Sequence, residues 1–244
     1  RDVAPSRGLG DVYKRQVFTC LAVFINLIPA ILNGQNIYIW SIVTCVYITV
    51  MTLVLIEGLN VKCFAAGVGC VGGVLVAGAL ELLLRDQIKM SGVLDSEWLY
   101  LYNLRKDNPI DLKAIIFAMI IVGAVGAVMD VAMSIASSLC EINEKSPDLP
   151  ARELLKSGLT IGRDIMGTMA NTLVLAYIGS ALCCMLLMVT YSSNVSQILN
   201  REQIAVEILQ ALAGSIGILA ALPLTAITSV LCLKPLNRIK RSVH

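Results

Sequence analysis

Six stretches of mostly apolar residues divide the chain, at 17–33, 37–56, 62–84, 112–139, 165–191 and 205–233. A helix needs about 20 such residues to cross the hydrocarbon core of a bilayer, so each is read as a spanning helix. The first is short and is interrupted by Asn26 and Pro29. The uncharged turn Asn33-Gly34-Gln35-Asn36 and the brief Glu57-Gly58-Leu59-Asn60 join the first three segments, which predicts a tight antiparallel series. The pattern therefore predicts an all-α, polytopic transmembrane helix bundle of about six spans occupying residues 17–244.

Two longer polar connections, 85–111 and 140–164, separate the remaining spans. In the first, Leu94, Trp98, Leu101, Tyr102 and Arg105 recur at helical spacing around the cap residue Ser96, with Tyr100 beside them. This predicts a short amphipathic helix, lying at the membrane interface or packing as a loop helix on the bundle. In the second, Ala151 to Lys156 reads as another short helix, closed by Gly158.

Residues 1–16 do not share this pattern. They are polar, and Gly8 to Gln16 resembles an adaptor-type scar. They are treated as a non-native or disordered tail that packs against nothing, and the native N-terminus is expected to lie further upstream.

Composition agrees with the membrane reading. Apolar residues make up 57% of the chain and charged residues 15%, against about 25% charged in soluble domains. A net charge of +2, without basic runs interleaved with aromatics, argues against nucleic acid as a partner. The eight cysteines lie in or beside apolar runs and form no CxxC pair, and the sole histidine is His244, so neither a disulfide framework nor a metal site is predicted. Lys62, Lys145, Arg152, Lys156, Arg163, Lys234, Arg238, Lys240 and Arg241 fall on one side of the predicted bundle. Arg85, Lys89, Arg105, Lys106, Lys113 and Arg201 fall on the other. The richer side is expected to be cytoplasmic, which places the C-terminus inside.

The chemistry concentrates in the fourth and fifth spans. Asp130 is read as the one carboxylate of seventeen acidic residues well inside a span. An ionisable group there costs about 2.5–3.5 kcal/mol on insertion scales. Ser134, Ser137 or Ser138, and Glu141 continue its face in one direction, Gly126 and Gly123 in the other. Such a stripe lines a solute or ion path, or else holds two helices together. In the fifth span Asp164, Thr168 and Asn171 share a face, and Arg163 stands beside Asp164 as a candidate ion-pair partner. Thr168 and Asn171 are expected to meet Asp130 in the bundle interior. Gly69 and Gly73, Gly123 and Gly126, and Gly214 and Gly217 are read as helix-packing positions, and Pro223 as a hinge. The literal GxGxxG of Gly67, Gly69 and Gly72 lies inside a span rather than after a strand, so it predicts no dinucleotide and no cofactor.

Gly123 to Glu141 and Ser157 to Ser180 resemble the signature segments of the YibE/F-like family of bacterial membrane proteins, and Glu207 to Gly217 with Pro223-Leu224-Thr225 resembles its last span. Ala170 departs from the family pattern. The resemblance implies a multi-pass protein of the bacterial plasma membrane, with an upstream span and an extracytoplasmic domain beyond this stretch. It carries over no reaction. No HExxH, serine–histidine pair or aspartate dyad is present, so no catalytic residues are assigned and an enzyme is not expected. A small-solute or ion permease with its path around Asp130 is the leading reading. A non-catalytic membrane scaffold or assembly partner, working with another membrane protein or as a homo-oligomer, is the alternative.

Overall fold

A computed structural model describes residues 9–88, 90–94, 96–104, 109–191 and 201–242. Every regular element among them is helical. The elements are α1 (Leu9–Ala22), a π-helical turn (Val23–Leu27), α2 (Ile28–Leu32), α3 (Ile37–Glu57), α4 (Val61–Ile88), α5 (Ser96–Asn103), α6 (Leu112–Lys145), α7 (Ala151–Tyr191) and α8 (Glu202–Ser242). Five of these helices, α3, α4, α6, α7 and α8, are long and apolar enough to cross a membrane, and Gln16–Leu32 forms a shorter apolar helix. The predicted all-α bundle of about six spans is the fold observed.

Several boundaries differ from the sequence reading. Helix α1 begins at Leu9, so the helix enters the segment assigned to a scar; the side chains of Val12 and Tyr13 lie outside the described residues. Pro29 has no N–H to donate to the turn before it, and the chain answers with the π-turn at Val23–Leu27. Gly158 does not end a short helix: α7 runs unbroken through it. Its missing side chain serves packing instead, because a Cβ there would lie 2.8 Å from Leu139. Likewise α6 continues past Leu139 to Lys145, and α8 runs through Pro223.

Helices α4, α6 and α8 pack against one another as the centre of the bundle. Their contacts are made by small residues: a Cβ on Gly73 would lie 2.6 Å from the Gly217 carbonyl oxygen and 2.9 Å from Val128. Without a hydrophobic difference between lipid and Leu, such close backbone approach is what holds spanning helices together. Helix α3 packs on α6 and α4, α1 on α3, and α7 on α8 and α6. Lys234 donates to the Leu149 carbonyl and ties α8 to the α6–α7 turn. At the opposite end Ser91 Oγ and the Gly92 N–H both donate to Glu202, at 2.6 Å each, and fix the segment before α5 on α8. Leu94 and Trp98 pack onto the bundle, while Tyr100 and Tyr102 are exposed; Arg105 lies outside the described residues.

Asp111 caps α6, accepting the N–H groups of Lys113 and Ala114 at 3.0 and 3.2 Å. Asp111→Ala leaves both donors unmet and is expected to lower stability by about 1 kcal/mol, whereas Asp111→Asn keeps the cap. Equal melting temperatures for parent and Ala variant in detergent would show that the cap contributes nothing.

Candidate functional site

The sequence places a polar stripe on α6, and the structure shows which way it faces. Asp130, Gly126, Gly123 and Glu141 are exposed, and Ser134, Ser137 and Ser138 are half-buried, whereas Val128, Val131, Ala132 and Ile135 on the other side are fully buried. Within this chain the stripe is the uncovered face of α6. Ser134 Oγ donates to the Asp130 carbonyl oxygen and Ser138 Oγ to that of Ser134, each at 2.8 Å. With their protons turned onto the helix backbone, these hydroxyls present lone pairs outward. The stripe is thus a row of acceptors. Glu141 closes it at one end, bound to Lys145 at 2.7 Å. At the other end Tyr177 Oη stands 2.6 Å from where a Gly123 Cβ would be, and it has no hydrogen-bond partner among the described residues.

The expectation that Asp130 points into the bundle interior beside Thr168 or Asn171 is corrected. Arg163, Asp164, Thr168 and Asn171 are all exposed, and Thr168 Oγ1 donates to the Ile165 carbonyl of its own helix at 2.8 Å. The cause is packing of α7 by its small and apolar positions. Gly158 and Gly162 sit against Leu139 and Ile135, and Leu173 fills the space beside Gly214. Seating that face turns Asp164, Thr168 and Asn171 away from α6. No ion pair joins Arg163 to Asp164 among the described residues. Only 11% of the α7 spanning segment is buried, against 61% for α6.

The six glycines divide by role. Gly69, Gly73, Gly214 and Gly217 lie at close helix contacts, with Thr225 standing where a Gly69 side chain would be; Gly126 has open space, and Gly123 faces the Tyr177 ring and hydroxyl. Pro223 is half-buried inside α8. Cys45, Cys63, Cys70 and Cys140 are buried and outside any disulfide, and Cys20 and Cys183 are exposed.

A second carboxylate escaped the sequence reading. Glu81 lies inside α4, fully buried, and neither of its oxygens has a hydrogen-bond partner among the described residues. Four residues on, Arg85 Nη1 donates to Tyr38 Oη at 2.5 Å, and that hydroxyl donates to Asp111 Oδ2 at 3.4 Å. The Arg85 guanidinium stands 5.3 Å from the centre of the Tyr38 ring, which packs on Phe117 at 5.1 Å. Tyr38 and Asp111, with Gln35, Asn36 and Pro109, line a cleft of about 200 Å³ at this end of the bundle. The signal was present as Glu81 and Arg85 flanking a run of three leucines. It reads as a helix-end ion pair because the charged Arg85 cuts the apolar segment short.

No curated protein and no solved structure matches the chain closely enough to lend it a role. The signature segments in α6 and α7, the glycine contacts of α4 with α8 and the helical bundle agree with a match to YibE/F-like protein over residues 16–235, and the chain belongs to that family.

Proposed function

We propose that the protein is a permease for a small solute or ion in the bacterial plasma membrane, with its C-terminus in the cytoplasm. The observation that carries the reading is the open acceptor stripe of α6, with Asp130 at its centre, on a helix long and apolar enough to span the bilayer. A carboxylate at that depth is costly to turn toward lipid. A row of carboxylate and hydroxyl lone pairs favours cations and hydrogen-bond donors as the solute. The path is closed by a neighbouring chain, either a second copy or another membrane protein. The nine-to-six excess of basic residues supports the orientation.

A scaffold role has its own support. Helix α7 exposes Asp164, Thr168 and Asn171, and Gly167 beside them has open space. Such a face suits a partner helix.

Thiol accessibility separates the two readings. With native cysteines replaced, cysteine at Gly126, Asp130, Ser134 or Ser137 is expected to react with a small charged thiol reagent in native membranes, while cysteine at Leu182 stays silent. Reaction confined to Glu141, at the end of the stripe, would overturn the permease and favour buried packing between chains.

A further inference from the structure

Glu81 is fully buried, and both its oxygens lack a donor among the described residues. An ionised carboxylate in that position would lose its hydration without any compensating bond, a penalty far larger than that of a neutral polar group. The groups around it are few. Its own helix provides Arg85 one turn on and Asp86 beyond it; α3 provides Tyr38, and the start of α6 provides Asp111. Helices α5 and α8 pack on this end of α4 with Trp98, Val206, Leu209 and Ala213, and the acids on that stretch of α8 are Glu202, bound by Ser91 and Gly92, and Glu207, which faces Tyr177. Arg85 is the single cation of the set, and it is engaged elsewhere, by Tyr38. Its buried nitrogen Nε has no hydrogen-bond partner among the described residues and forms a long ion pair, 3.8 Å, with Asp86.

We propose that Glu81 is a proton-binding site, neutral in the packed arrangement seen here, with Arg85 as the cation that receives it when the proton leaves. In binding, a Glu81 carboxylate oxygen forms an O–H bond with a proton supplied by water. In release, the proton returns to water, and the carboxylate turns along α4 to pair with Arg85 Nε in place of Asp86. The guanidinium keeps its own protons throughout, so it positions the ionised form and carries nothing. This site is separate from the α6 stripe and holds whether the protein is a permease or a scaffold.

Infrared spectra of the full chain in lipid vesicles, recorded between about pH 5 and about pH 9, test the proposal. The parent is expected to show a protonated-carboxyl C=O band that fades as pH rises and that is missing in Glu81→Gln. In Arg85→Met the band is expected to persist to higher pH, because the ionised form has lost its partner. Should Glu81→Gln fail to fold, Glu81→Asp assigns the band by shifting its frequency. A parent spectrum without a Glu81 band at any pH overturns the proposal, because it means a carboxylate ionised throughout. A band that ignores pH, or ignores Arg85→Met, overturns it as well, because it means an inert packed acid.

Discussion

Gly73→Val is expected to lower the melting temperature of the protein in detergent sharply and to broaden its size-exclusion profile. The first added carbon would fall 2.6 Å from the Gly217 carbonyl oxygen and 2.9 Å from both Ala221 and Val128. One of these obstacles is backbone, so no rotamer change clears it, and α4 and α8 must separate. Overpacking in a closed core costs about 1–3 kcal/mol, and here the low end is out of reach because three neighbours on two helices are hit together. Against a total stability of about 5–15 kcal/mol, that loss is large. Gly126→Ala is the control. It has open space around its Cβ and lies mid-helix, so it should be neutral or stabilising by up to about 1 kcal/mol. Parallel melting curves and size-exclusion profiles decide the matter. Equal tolerance of both substitutions would mean that α4 and α8 are not in the contact described.

The second large effect is expected at the Arg85–Tyr38–Asp111 chain. Arg85→Met removes a charge-assisted bond of 2.5 Å and the cation that stands over the Tyr38 ring. A hydrogen bond to a charged group contributes about 1.5–3 kcal/mol, so a loss in that range is expected. Tyr38→Phe removes the hydroxyl alone, together with its donation to Asp111. If the bond is the source of the stability, the double variant is little worse than Arg85→Met, and the cycle returns a coupling of about 1 kcal/mol or more. Additive effects would show that Arg85 and Tyr38 stabilise the bundle independently.

Most of the architecture was legible in the residues. A span needs only length and apolarity, which are properties of a segment by itself, so α3 and the cores of α4, α6, α7 and α8 could be read directly. Helix ends were less legible because a charged residue stops a hydropathy reading without stopping a helix. Arg85 hid the last turn of α4, and the polar start of α7 was separated from its span for the same reason. Gly158 shows the related ambiguity, since a glycine that ends one helix and a glycine that admits a neighbour look identical until Leu139 is in place.

By itself the sequence determined an α-helical membrane bundle, its family, the polar stripe of α6 and the small residues through which helices meet. These rest on composition and on the period of one helix. Which way each face points was decided only by tertiary structure, because rotation about a helix axis is set by its neighbours. Leu173 against Gly214 and Ile135 against Gly162 turned the α7 stripe outward and left Asp130 uncovered. The same packing of α3, α4 and α6 enclosed Glu81 and drew Tyr38, Arg85 and Asp111, far apart along the chain, into one polar cluster.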